Sequence, residues 1–433
     1  MTTPVIAPAT CPPSLPAPGS HVPSLIGRSI DSGFDVWKAT VEGMTDYWTG
    51  VLTRGAGPLD VASDFTRWWQ VSTDRSVPEW ATPHEVVLEG PVARLRDFSA
   101  GSTANVVPTL VFPPQAGHDS CIVDYSREQS QMKVIQAAGL TRAYSLDWIG
   151  ATPETKDAGV EDYLAFIERA IDHIGGGPIN VVGDCQGGWL AAIYAALHPE
   201  QVNTLTLAGA PIDFHAGNPV IGDYVEANDQ RGDLSFYKSV VAMGGGVLKG
   251  EFMLSGFITI KPDSEVEKQV QLLAHIGEEK HVERYRAFED WFKHTQDVPG
   301  AFYLWIVEHL FRDNKLIRGE LEIGGERVDL GKITAPLFLL GGQTVHITPP
   351  AQVFALEEHA SVPASKVVKR TTTGGHLGLF MGSEALREHW PPILAEVFAH
   401  SKPPVKEPKE RKARARTRAK GETPEAKPPI PAP

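Results

Sequence analysis

The hydrophobic pattern of the chain changes period several times, and each change marks an element. Residues 1–30 have no period: they are dense in Pro with Ala, Ser and Thr between. A segment of that composition buries too little to offset its ordering entropy, so it is expected to be disordered. From about Phe34 to Trp69 apolar residues recur at three- and four-residue steps, at Trp37, Val41, Met44 and Trp48, then Phe65, Trp68 and Trp69. This predicts an amphipathic helical arm over 31–80, with the stripe packed on the main domain. Period two follows in VVLEGPVARLRDF, which reads as an antiparallel pair, and short apolar runs at 108–112 and 142–148 read as strands around a helical stretch at 126–139. Further strands are expected at 179–182, 203–211, 335–342 and 366–372, seven or eight in all. Alternation of strands with helices predicts an α/β fold with a mostly parallel sheet covered on both faces.

The alternation stops between residues 218 and 330, which divides the core into 84–217 and 331–400. The insertion reads as helical and is placed like a lid. It holds Tyr285, Phe288, Trp291, Phe292, Phe302, Tyr303 and Trp305, and a run Gly244–Gly246 that lacks the lysine and strand-to-helix setting of a phosphate loop. That run is expected to be a flexible turn.

Composition adds limits. No window approaches 18 consecutive apolar residues, and no basic stretch precedes an apolar run at the N-terminus, so neither a membrane span nor a secretory signal is expected and the cytoplasm is the expected location. Cys11, Cys121 and Cys185 are too few and too scattered for a disulfide framework or a thiolate zinc site, and no metal-ligand spacing is present. The net charge of −13 conceals a tail, 401–433, with ten Lys/Arg and four Glu; at +6 it leaves −19 on the first 400 residues. The tail is expected to be disordered and solvated, with at most weak, salt-sensitive contacts to nucleic acid or other polyanions.

The chemistry concentrates at residues 178–199, PINVVGDCQGGWLAAIYAALHP, a buried strand, a glycine-flanked turn and an apolar helix. Cys185 lies at the apex, with Gly183 two residues before and Gly187 two after, the spacing of a G-x-S-x-G nucleophile elbow with sulfur for oxygen. A merely structural cysteine would need none of these glycines, nor Gly188. A cysteine nucleophile needs a base. The candidate is His376 in TTGGHLGLF, after the last expected strand, where the chain order of an α/β-hydrolase fold puts its histidine. The oxyanion-binding amides are expected from Gln186, at the start of the helix, and from the loop Pro113-Pro114-Gln115-Ala116-Gly117-His118. Neither proline can donate, leaving Gln115 or Ala116, with Ala116 the assigned donor.

VVGDCQGGW, HPEQV, LAGAPIDF, NKLIRGELEIGGERVDLGKITAP and GGHLG, in that order over roughly 100–398, resemble polyhydroxyalkanoate synthases, especially the short class III type, and related α/β-hydrolases including the intracellular depolymerases. The resemblance implies an α/β-hydrolase fold with a helical lid and no cofactor. It implies that Cys185 takes an acyl group from a 3-hydroxyacyl-CoA as a thioester, with His376 as base, in polymer synthesis. It also implies a homodimer or a partner subunit and a place at polyhydroxyalkanoate granules. Two alternatives stand beside synthesis: cysteine-dependent hydrolysis of polyhydroxyalkanoate oligomers, esters or thioesters, and a non-catalytic granule-associated homologue. The last follows from one departure. In GGQTVHITPP the position matching the family's acid is Val345, 160 residues after Cys185 and 31 before His376. A Cys–His dyad is then expected, or an acid relocated to Asp213 in PIDF, or a substitute partner at the adjacent His346. An ordinary turn cap is the plainer role for Asp213.

Overall fold

The computed structural model describes residues 22–401, other than 103, 261, 262 and 346. The basic tail beyond residue 401, the first 21 residues and His346 lie outside the described residues.

A long helix, α1 (Val22–Thr53), and a second, α2 (Pro58–Thr73), form the arm. Helix α1 therefore starts inside the segment expected to be disordered. Its only proline there, Pro23, falls in the first turn, where the missing N–H costs nothing. Val22, Leu25, Ile26 and Ile30 continue the three- and four-residue steps that proline density had obscured. The expected stripe is divided: Met44 and Trp68 pack inward, while most of its other members face outward. Trp37, Val41 and Trp48 are 62%, 44% and 45% exposed. Tyr47 and Val51, with Met44 beside them, face inward and pack with Val71 on Leu272, Leu273, Ile276, Val282 and Tyr285 of the insertion. The arm thus rests on the insertion, fixed by the Trp68 indole N–H donating to the Gln269 carbonyl at 3.1 Å.

The main sheet has eight strands: β1 (Glu85–Glu89), β2 (Ala93–Asp97), β3 (Thr109–Phe112), β4 (Ala143–Trp148), β5 (Ile179–Asp184), β6 (Val202–Ala208), β7 (Leu337–Gly342) and β8 (Val367–Thr372). Their order is β1-β2-β4-β3-β5-β6-β7-β8, with β1–β2 and β2–β4 antiparallel and the rest parallel. This is the α/β-hydrolase fold. Strands β3, β4, β5 and β7 are buried at every residue, as strands covered on both faces must be. One face packs on helices α4 (Val160–Ile174) and α5 (Gln186–Leu197). The other packs against α3 (Gln131–Ala137) and a C-terminal helix at Trp390–His400.

The insertion is helical through Val220–Asn228, Ser235–Met243, Gly250–Ile260, Asp263–Ala274, Glu279–Lys293 and Gly300–Trp305. Its second half is not a separate layer. Phe302, Ile306, Leu310, Leu316, Leu321, Val328 and Leu330 belong to the main core. The stretch expected as one lid therefore gives its second half to the core, because aromatic spacing alone does not say what a ring packs on. No helix among the described residues is long and apolar enough to cross a membrane.

Candidate active site

The elbow is assembled by backbone contacts that exclude side chains. Cys185 has φ +50° and ψ −118°, outside the regions an L-residue prefers, and such strain persists only where the surroundings impose it. Here they do. A Cβ on Gly187 would lie 2.0 Å from the Phe112 carbonyl oxygen and 2.5 Å from that of Pro113; on Gly183 it would lie 2.5 Å from Gly188 Cα; on Gly188, 2.3 Å from Ala210 Cβ. Strand β3, strand β6 and α5 therefore close on the turn and hold the thiol at the carboxyl edge of the sheet.

His376 arrives from the loop after β8, its ring against the end of β6 and edge-on to Phe380. Its Nε2 lies 3.0 Å from Cys185 Sγ. Its Nδ1 lies 2.9 Å from Thr348 Oγ1. If Nε2 is to accept from the thiol, Nδ1 must carry the ring proton and donate it to Thr348. The hydroxyl thus occupies the place where a carboxylate would fix the tautomer.

Both reactive groups are half-buried at their surfaces, with protein packed closely around them. Burial pushes the Cys185 thiol up to about 12, with the Gln186 backbone N–H acting in the opposite direction. Burial pushes His376 down to about 4. Both shifts favour the neutral thiol and the neutral imidazole over the ion pair. A hydroxyl can orient an imidazole but stabilises its cation far less than a carboxylate does.

The structure places the other sequence-predicted residues as follows. Asp213 does not reach His376: its Oδ1 accepts from the amides of His215 and Ala216 and from Asn314 Nδ2 at 2.8 Å, so it caps a turn and ties it to the insertion. Val345 is buried, and its Cγ2 lies where a Cβ on Gly342 would collide. The Gln186 amide is aimed at Sγ. The Ala116 carbonyl accepts from His118 Nδ1, while the amides of Gln115 and Ala116 meet no acceptor among the described residues and remain able to bind an anion. Gln115 turns its own side chain inward to the Tyr163 hydroxyl. Thr348 escaped the sequence reading; its only signal was a hydroxyl just before Pro349 and Pro350, three residues beyond the acid position.

The insertion grips the β3 loop from outside. Gln296 N–H donates to the Gly117 carbonyl at 2.8 Å, His118 bridges to Thr295, and its Nε2 meets the Phe292 carbonyl at 3.0 Å with the two rings stacked. Met253 covers Gly117, whose φ of +76° suits glycine. A cleft of about 390 Å3 lined by Val92, Glu154 and Arg169 involves none of the residues named here as the site. Glu308, His309 and Asp313 form a cluster of potential metal ligands, but Lys315 Nζ already sits 2.9 Å from His309 Nδ1.

Curated relatives support the resemblance carried by the motifs. The chain is 28% identical over 320 residues to the poly(3-hydroxyalkanoate) polymerase subunit PhaC of Haloferax mediterranei, covering 72% of this chain but only 63% of that protein. It is 27% identical over 355 residues to the protein of the same name from Haloarcula marismortui, covering 77% and 72%. A carboxylesterase crystal structure from Nitrososphaera gargenis aligns over 73% of this chain and 98% of that one, at 14% identity and a TM-score of 0.45. The fold assignment rests on the strand order instead. A family model spans residues 97–396, from the end of β2 to the C-terminal helix and across both Cys185 and His376, so the chain belongs to the family described as protein of unknown function (DUF3141).

Proposed function

We propose that this protein is a cysteine acyltransferase of the polyhydroxyalkanoate synthase type, which takes acyl groups from 3-hydroxyacyl-CoA. The observation that carries the reading is the 3.0 Å approach of His376 Nε2 to Cys185 Sγ at a strained elbow. As Sγ attacks the thioester carbonyl, its proton passes to Nε2 and the carbonyl oxygen becomes an oxyanion within reach of the Gln186 amide and an amide of the β3 loop. Collapse breaks the bond to CoA sulfur, the imidazolium returns the proton to that sulfur, and CoA leaves as a thiol. The acyl group stays on Cys185. A hydroxyl of a second acyl unit, deprotonated by the same imidazole, then attacks that thioester; the bond to Cys185 Sγ breaks, the imidazolium returns the proton to Sγ, and the acyl group passes to the hydroxyl as an ester that extends the chain, or to water in hydrolysis.

An imidazole held below its ordinary pKa is unprotonated and free to accept the thiol proton, while the same burial weakens it as a base, so the oxyanion-binding amides must offset an uphill transfer. The same reading places the protein with 3-hydroxyacyl-CoA and nascent polyester, at granules, and with a second subunit. Incubation of purified protein with 3-hydroxybutyryl-CoA tests it. CoA release with polymer is the expected result; CoA release with free acid assigns hydrolysis, and no release in the presence of a folded protein excludes both.

A further inference from the structure

Asp184 ends β5 and immediately precedes Cys185, yet the mechanism makes no use of it. It is fully buried, as is Gln131 in the first turn of α3, and the two meet: Gln131 Nε2 donates to Asp184 Oδ1 at 3.3 Å. Their other oxygens, Asp184 Oδ2 and Gln131 Oε1, are both buried and both without a partner. Two unsatisfied acceptors on side chains already joined through their other halves are costly in this form. A single proton on Oδ2 removes both faults, because it supplies the donor that Gln131 Oε1 lacks.

No other group argues for charge. The side-chain partner of Asp184 is the neutral Gln131 amide from α3, and its chain neighbour Cys185 carries its thiol to the His376 imidazole. From β6, Ala208 lies opposite in register. Lys133, also on α3, is turned to the Arg127 carbonyl, and Asp124 is taken up by Thr82 and Ser130. No lysine or arginine pairs with Asp184 among the described residues. Burial itself holds the carboxyl well above the usual carboxylate range.

We propose that Asp184 is a neutral carboxylic acid, closed with Gln131 into a two-bond ring, and that it positions the elbow while giving Cys185 an uncharged neighbour. A carboxylate directly beside the thiol would oppose formation of thiolate; the protonated acid fills the same volume and fixes the same strand end without that opposition. The benefit to Cys185 rests on its proposed role as nucleophile, whereas the protonation of Asp184 does not.

The test uses the full chain and two readouts independent of acyl transfer. The infrared spectrum of the wild type at pH 7 should contain the carbonyl band of a protonated carboxylic acid that Asp184→Asn lacks and that Gln131→Leu shifts, since the ring is then broken. Alkylation of the Cys185 peptide by iodoacetamide, followed by mass spectrometry from pH 6 to 10, should agree within about twofold between wild type and Asp184→Asn, because an amide reproduces the neutral acid. Absence of the band, no shift in Gln131→Leu, or alkylation about tenfold faster at pH 7 in Asp184→Asn, as removal of a charge would give, overturns the proposal. If Asp184→Asn does not fold, the wild-type and Gln131→Leu spectra still decide. A protein that shows the band but releases no CoA would sink the acyltransfer reading and leave this one standing.

Discussion

The elbow and the loop across from it bring Cys185 and His376 together by different means. On the elbow side, position is set by main chain: three glycines whose missing Cβ atoms would each fall within 2.5 Å of a neighbouring atom, and a cysteine held at φ +50°. On the other side, the imidazole is oriented by one hydroxyl, Thr348, in a loop where Gln343 and Thr344 are exposed and the acid position carries a buried valine. Backbone packing admits one solution, while a side-chain hydrogen bond can be made by several residue types from several positions. The nucleophile side is therefore expected to be intolerant of change and the histidine side to be adjustable.

Substitutions can break that contrast. Cys185→Ala should lower acyl transfer by at least about a thousandfold, measured as CoA release, because no other group can carry the thioester; retention of more than a tenth of the activity would exclude covalent catalysis here. Gly187→Ala should be nearly as damaging through the fold, since its methyl would fall 2.0 Å from a carbonyl oxygen that β3 cannot move. Loss of soluble protein, or a melting temperature lower by about 10 °C, is expected, against less than about 2 °C for Gln343→Ala in the exposed loop.

Smaller effects sharpen it. Thr348→Val should cost about tenfold in kcat with little change in KM, as the imidazole loses its anchor but not its place. Adding Val345→Asp to that variant should recover part of the loss and raise the pH of the acidic limb, because a carboxylate stabilises imidazolium. Failure of the second substitution to restore any activity would mean that the loop no longer presents residue 345 to the ring. The pH profile is a further check. His376 is depressed from 6.5 to about 4 in the folded protein, so its contribution to stability is complete above pH 6.5 and is lost as pH falls towards 4. Thermal melts of wild type should drop across that window, and those of His376→Gln should drop less.

The difference between the two sides also governs what the sequence could reveal. Strands, their order of appearance and the elbow were readable because period, glycine spacing and strand–turn–helix context report the same backbone packing that holds Cys185. His376 was readable from its place after the last strand. Thr348 was not, because a lone threonine carries no spacing signature and its role exists only once β7 and β8 lie side by side and their loops meet. Asp213 drew attention by sitting at the end of β6, yet its oxygens serve the turn at His215 and Ala216 and, through Asn314, a segment 101 residues away that no local pattern connects to it. The arm failed in another way. Helix α1 has apolar residues facing both ways, and period cannot say which of them find Leu272 and Ile276 on the insertion.

The hydrogen bond from Gln296 to Gly117 joins the insertion to the loop that holds the Gln115 and Ala116 amides. These are mechanically one part. The Gln115 and Ala116 amides therefore sit between two anchors, the end of β3 and the insertion at Thr295 and Gln296, so a change in either anchor is transmitted to them.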